Sequence, residues 1–443
     1  MKRRSLATPV MSVLAVVLAL TTGAATAAPA QAVESGGVTI PAFYDPPSTV
    51  PATPGELLRT EPLTLGVRLG LPGLTGPLPG RATRLMYSSL DSNDRPTAVT
   101  GTYIEPTARW AGSGPRPLVT LAAGTLGQGD QCAPSLGLER PLTLTSETAS
   151  VNYEILAAYR LLKRGIAVVF TDYAGLGTTD RLHTYVDRLD SGRAMLDAAR
   201  AARSLPGTSL TPQSKVATFG YSQGGEASAA ALELAPTYAP DLPLVAGYSG
   251  APPADLTRVL QGIDGTILTG AIGWAMNGFA QSSPVMASFL DRNLDAHGKA
   301  TLKALSTECL LDASVRQGFT RTSSWTVSGE SLSAVLAREP AASAYVDRQR
   351  LGRTAPTVPT RVITGTRDDV VDHAQARQLA VDWCAAGARV TYVPVLQLTS
   401  SGGTAVNHLA VALADGPAAT AWVIDRFNGK PTAGNCAALP LLR

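Results

Sequence analysis

The segment Lys215–Gly225, reading K-V-A-T-F-G-Y-S-Q-G-G, constrains this chain more than any other stretch. Val216–Phe219 is a short apolar, partly β-branched run that reads as a buried strand, and Glu226–Ala235 reads as a helix. Between them stands Gly220-Tyr221-Ser222-Gln223-Gly224, giving the order strand, G-x-S-x-G turn, helix. A serine on so tight a turn needs neighbours without side chains, because strand and helix must approach closely on either side of it. The helix N-terminus behind Ser222 offers N–H groups and a positive dipole end to a developing oxyanion. Ser222 is therefore the candidate nucleophile; the bland alternative is a Gly-rich strand–helix turn without chemistry.

The rest of the chain supplies a matching rhythm. Arg84–Ser89 and Thr97–Ile104 alternate as antiparallel strands joined through Ser92-Asn93-Asp94. Leu118–Ala122 (strand), Tyr153–Lys163 (helix), Ile166–Thr171 (strand), Ser191–Leu205 (helix), Lys215–Tyr221 and Leu244–Gly247 (strands) follow. Strands alternating with helices predict a parallel sheet covered on both faces. The rhythm stops near Pro253 and resumes with Thr360–Thr364 (strand), Ala374–Ala386 (helix), Arg389–Val395 (strand) and Ala405–Phe427 (helix). The intervening hundred or so residues are too many for a loop. Apolar helical stretches such as Gly265–Phe279 and Met286–Leu294 make them an inserted helical subdomain, placed where a cap over the site would sit. The expected organisation is a leader (1–32), a Pro- and Gly-rich extended arm (33–80), a first core segment (81–253), a helical cap (254–355) and a second core segment (356–443).

Composition bears on compartment and partners. Lys2, Arg3 and Arg4 precede the apolar run Val10–Leu20 and small residues ending Ala30-Gln31-Ala32, the pattern of an export leader cleaved after Ala32, with Ala28 as the alternative. The apolar run is short for a membrane span, and the Arg3-Arg4 pair is a weak twin-arginine signal. The formal charge of +3 comes from that leader, so the remainder is near neutral and nothing recommends nucleic acid as a partner. Four cysteines in an exported chain, with no C-x-x-C pair, suggest two disulfides rather than a metal site. Three pairings are open; Cys132–Cys309 with Cys384–Cys436 is favoured, since the second bridge would staple the C-terminal tail to a nearby helix.

A serine hydroxyl needs a base within hydrogen-bond reach, itself oriented by a carboxylate. His408, after the last strand and at the start of the last helix, is the candidate base. His373 follows the acidic cluster too closely, His297 lies in a charged run of the insertion, and His183 reads as a structural, hydrogen-bonded histidine, with lining of the pocket as the alternative. The loop after Thr360–Thr364 reads Gly365-Thr366-Arg367-Asp368-Asp369-Val370-Val371-Asp372, and Asp368 is the candidate carboxylate. Asp369 is second, and either Asp369 or Asp372 could instead cap the helix near His373. The oxyanion donors expected are the backbone N–H groups of Gln223 and of Thr125, with Leu126 in reserve, on the loop Ala123–Gly129. That loop has no following Gly-Lys-Ser/Thr, so a phosphate reading fails.

Together G-Y-S-Q-G-G (Gly220–Gly225), Cys132-Ala133-Pro134-Ser135 after the G-T-x-G loop, Thr171-Asp172-Tyr173 with Gly175-Leu176-Gly177-Thr178, His183-Thr184-Tyr185, Asp368 and His408 resemble the secretory lipase family, exported bacterial and fungal α/β-hydrolases of the lipase-A type. The resemblance implies an α/β-hydrolase fold, lipase or carboxylesterase activity, the triad Ser222, Asp368 and His408, a helical lid formed by the insertion, and the same two disulfide pairings. Ala122-Ala123, where His or Pro is expected beside the glycine, and Val406-Asn407, where Gly or Glu often stands, depart from the pattern. The implied substrate is a lipid or small ester, with transient lipid-interface contact through the lid, no cofactor, no metal and a monomeric chain. Two other readings use the same sequence: an acyltransferase onto a lipid or sugar alcohol, and a non-catalytic hydrolase-like binding protein.

Overall fold

The computed structural model describes residues 32–71, 73–140 and 153–442. The expected leader therefore lies outside the described residues except for Ala32, which opens a short hairpin, Ala32–Ser35 with Val38–Pro41.

Nine strands form one sheet: β1 (Leu57–Leu63), β2 (Gly80–Leu90), β3 (Pro96–Pro106), β4 (Leu118–Ala122), β5 (Ala167–Ala174), β6 (Val216–Tyr221), β7 (Leu244–Gly250), β8 (Thr360–Gly365) and β9 (Val390–Val395). Their order is β9-β8-β7-β6-β4-β5-β3-β2-β1. All pairs from β9 to β5 are parallel, and β5–β3, β3–β2 and β2–β1 are antiparallel. The chain runs outward from β4 to β5 and then back past β4 to β6. The crevice at the carboxyl ends of β4 and β6 is thus the topological switch point, where open parallel sheets place ligand chemistry.

Every residue of β4, β5 and β6 is buried, which is why these strands read as continuous apolar runs rather than alternating ones. Their side chains still divide by parity. Val119, Leu121, Val168 and Phe170 join the core shared with helices Ile155–Lys163 and Val406–Phe427. Leu118, Ala122, Ala167 and Val169 join the opposite core, with the Ala-rich helix Arg188–Ser204 and the serine helix Gln223–Tyr238.

The extended arm is more ordered than its composition suggests. Leu57–Leu63 is the sheet's edge strand, and Arg68–Leu71 pairs with Leu74–Pro77 in a second small hairpin. Pro62 and the charges at Arg59 and Glu61 hide the strand's period; pairing with β2, not local propensity, makes it a strand. Helix Arg188–Ser204 starts three residues before the expected Ser191, because Asp187 caps it by accepting from the Leu189 and Asp190 N–H groups. Between β7 and β8 the described residues include seven α-helices, from Leu256–Ile263 to Pro340–Asp347. Cys132 is bonded to Cys309 in this insertion, and Cys384 in helix His373–Ala385 is bonded to Cys436 in the tail. Among the described residues no helix is long and apolar enough to cross a membrane.

Candidate active site

Ser222 stands between β6 and the serine helix with φ 59° and ψ −124°, a conformation that side-chain-bearing residues rarely adopt. Its N–H donates to Gly250 O (2.8 Å) and its carbonyl accepts from Glu226 N (3.0 Å), so strand β7 and the first helical turn hold the strain in place. The glycines on either side are obligatory. A Cβ at Gly220 would lie 2.0 Å from Gly224 O, and one at Gly224 would lie 2.1 Å from Ala122 O, at the end of β4. The turn thereby seats Ser222 directly beside the loop that follows β4.

His408, in the first turn of helix Val406–Phe427, is brought to Asp368 on the loop after β8. Its Nδ1 lies 2.9 Å from Oδ1 and 2.8 Å from Oδ2 of Asp368. Asp368 Oδ1 also accepts from Val370 N (3.0 Å) and Val371 N (2.9 Å), which fixes the carboxylate's plane. On the other side the Tyr221 hydroxyl donates to His408 O (2.7 Å), with the two rings 5.0 Å apart. His408 Nε2 is buried and has no hydrogen-bond partner among the described residues. Ser222 and His408 are only 6% and 3% exposed.

The other two carboxylates of the cluster do different work. Asp369 Oδ2 accepts from Ser401 Oγ (2.5 Å) and Ala405 N (2.9 Å), and its Oδ1 accepts from His408 N (3.2 Å). It anchors the loop that delivers His408. Asp372 caps helix His373–Ala385 by accepting from Ala374 N (3.1 Å) and pairs with Arg258 (3.0 Å). Asn407, beside the base, donates to Arg367 O (2.9 Å) and Thr399 O (2.6 Å) and so ties the two loops together. Nothing local in the sequence marks Asp369 or Asn407 for these roles.

Gln223 is the first residue of the serine helix, and its side chain is held by His183. The His183 ring has Nδ1 3.0 Å from Ala174 O and Nε2 3.0 Å from Gln223 Nε2. A carbonyl on one side and an amide donor on the other specify the neutral tautomer protonated at Nδ1. Burial agrees, pushing the imidazole's pKa down to about 4. His183 is therefore a positioning residue for Gln223. Thr125 shares a 2.7 Å hydrogen bond with the Tyr185 hydroxyl, and Leu126 O accepts from Leu310 N (2.7 Å) in the insertion. Gln128 donates to His183 O and Trp274 O (2.9 Å each) and accepts from Asn277 (2.9 Å), fastening this loop to helix Thr269–Ser282. His373 contacts the Tyr392 hydroxyl (3.3 Å), and His297 is exposed. Tyr153, which sequence reasoning passed over as a helix residue, seats its hydroxyl against Gly124 and close to Ser222. Among the described residues no group of His, Cys, Asp and Glu side chains is arranged to hold a metal.

The comparisons agree with this architecture. The secretory lipase family model matches residues 138–435, about two thirds of the chain. The chain is 28% identical over 390 residues to a probable inactive lipase of Mycobacterium tuberculosis (strain CDC 1551 / Oshkosh), covering 88% of this chain and 82% of the relative. It is also 28% identical over 403 residues to Lipase 5 of Candida albicans, covering 89% and 82%. Among solved structures, the closed state of Candida antarctica lipase A superposes with a TM-score of 0.73 at 21% identity, covering 88% of this chain and 86% of that one. The rice cell wall degrading esterase LipA of Xanthomonas oryzae gives 0.68 at 21% identity, covering 84% and 99%. The fold is that of these solved structures, and the chain belongs to the secretory lipase family.

Proposed function

We propose that the protein is an exported serine hydrolase that cleaves carboxylic esters of lipids, with triacylglycerols or smaller esters as substrates. The observation that carries this reading is the paired contact of Asp368 with His408 Nδ1, which leaves Nε2 buried and unpartnered, in a chain that also holds Ser222 in a strained turn. An imidazole so oriented keeps its proton at Nδ1 and presents a basic Nε2. Ser222 Oγ attacks the ester carbonyl while Nε2 takes its proton, and the carbonyl electron pair moves onto oxygen. Backbone N–H groups of Gln223 and Thr125 hold that oxyanion. Collapse expels the alcohol, which receives the proton from His408, and leaves an acyl-enzyme. Water, deprotonated by the same nitrogen, then releases the acid and regenerates Ser222.

One relative carries the name of a probable inactive lipase, so activity needs a direct test. A fluorophosphonate probe is expected to label the wild-type protein and to leave Ser222→Ala unlabelled, with turnover of short p-nitrophenyl esters lost in parallel. Turnover retained by Ser222→Ala overturns the assignment. A chain-length series ending in emulsified triglyceride separates lipase from small-ester esterase, and added alcohols reveal any acyl transfer.

A further inference from the structure

Tyr153 opens the turn before helix Ile155–Lys163 and packs partly buried against the core, with its hydroxyl reaching the loop after β4. A Cβ placed on Gly124 would be 1.6 Å from Tyr153 Oη and 2.3 Å from Cζ. The phenol thus occupies the space that a side chain on the loop after β4 would need, against the residue preceding Thr125. The same hydroxyl lies close to Ser222, while His408 Nε2 has no partner among the described residues. One O–H group is therefore within reach of both the nucleophile and the loop expected to hold the oxyanion.

We propose that Tyr153 is a further catalytic residue, whose hydroxyl, seated against Gly124, donates a third hydrogen bond to the oxyanion beside the Gln223 and Thr125 N–H groups. This rests on the serine-hydrolase reading above. In the resting protein the hydroxyl lies against Gly124 and close to Ser222. When Ser222 gives its proton to His408 and bonds to the carbonyl carbon, the phenol O–H turns to the carbonyl oxygen as charge develops there. It donates a hydrogen bond only and keeps its proton throughout. Its surroundings favour that role. Burial, with the Glu154 carboxyl next in sequence, holds the phenol far above the ordinary tyrosine range, so a proton is always present to donate.

The test is Tyr153→Phe in the full mature chain, which removes one oxygen and keeps the ring that packs against Gly124. Expected is a fall in kcat of about 10–100-fold with KM within about threefold, the pattern of a donor used in the transition state and not in ground-state binding. Affinity for a trifluoromethyl ketone, whose hemiketal oxygen carries the oxyanion charge, should fall by a similar factor. The melting temperature serves as the control for folding. A wild-type kcat in Tyr153→Phe, or a raised one, overturns the proposal and makes the phenol a plug over Ser222. So does a loss confined to KM. A wild-type protein that neither hydrolyses esters nor reacts with fluorophosphonate overturns the hydrolase reading itself, which an active wild type with an unaltered variant would not.

Discussion

Two adjacent carboxylates, Asp368 and Asp369, both touch His408, and their asparagine variants should differ in a way the geometry dictates. In Asp368→Asn the amide oxygen takes the Oδ1 position, because only there does it satisfy the Val370 and Val371 N–H groups. The amide NH2 then stands where Oδ2 was, 2.8 Å from His408 Nδ1, and must donate to it. An imidazole that accepts at Nδ1 carries its proton on Nε2 and cannot take one from Ser222. Locking the wrong tautomer costs about 10⁴ in kcat, or about 5.5 kcal/mol of transition-state stabilisation, with the fold unchanged. In Asp369→Asn one oxygen can still serve Ser401 and Ala405, but the amide NH2 then faces His408 N–H. One lost charge-assisted bond costs about 1.5–3 kcal/mol, which predicts a fall of about 10–100-fold in kcat together with a lower melting temperature. Initial rates on p-nitrophenyl butyrate, with thermal melts of the same samples, measure both. If Asp368→Asn stays within tenfold of wild type, or Asp369→Asn is the more damaging of the two, the tautomer argument is wrong and the orienting carboxylate is not Asp368.

Stability should respond to pH through Glu226, buried on the serine helix near Asp187 and Glu233, with Ser191 and Arg188 as its polar and cationic neighbours; burial first and Asp187 second raise its carboxyl to about 8. Below the ordinary carboxyl range both folded and unfolded states hold the proton and the contribution is complete. As pH rises from about 4.5 to 8 only the unfolded chain ionises, so stability falls by about 1.4 kcal/mol per unit of displacement, and Glu226→Gln should flatten the melting-temperature profile across that window. The bridges should separate in function. Each is expected to contribute about 2–5 kcal/mol, but Cys132–Cys309 also binds the segment after the Thr125 loop to the insertion, with Gly127 paired to Cys309. Cys132→Ser/Cys309→Ser should lose activity along with stability, whereas Cys384→Ser/Cys436→Ser should lower the melting temperature and spare initial rates at 25 °C.

Much of the core was legible because its constraints are local. A strained serine turn requires Gly220 and Gly224, and strands buried on both faces must be continuously apolar, so β4, β5 and β6 announce themselves. Leu57–Leu63 was hidden because an edge strand tolerates Pro62 and alternating charges, and only its partner β2 identifies it. The roles of Asp368 and Asp369 look interchangeable in the sequence; they diverge because the loop turns one carboxylate toward the imidazole and the other toward the backbone of residues 405 and 408. Tyr153 was invisible for a related reason. Its hydroxyl matters through an approach to Gly124 from another element, and no spacing along the chain encodes that.

The apolar stretches Ile267–Met276 and Pro284–Leu290 invite a lid that swings to face acyl chains, but their packing argues for a wall. Ile272, Trp274, Met276, Phe279, Met286 and Phe289 are buried in one core shared with the rest of the insertion and the sheet. Exposing a single large apolar side chain costs about 1.5–3 kcal/mol, so peeling these six away would cost on the order of 10 kcal/mol. That is comparable with the whole stability of a typical domain. Helix Thr269–Ser282 is also fastened to the loop after β4 through Gln128, Trp274 and Asn277, and Trp274 Nε1 donates to Leu305 O (2.9 Å). Displacing that helix would disturb the very loop expected to hold the oxyanion. A nucleophile only 6% exposed must still admit an ester. The cheaper adjustment is local to Ser222, where side chains such as the Tyr153 phenol can reorient while the insertion stays in place.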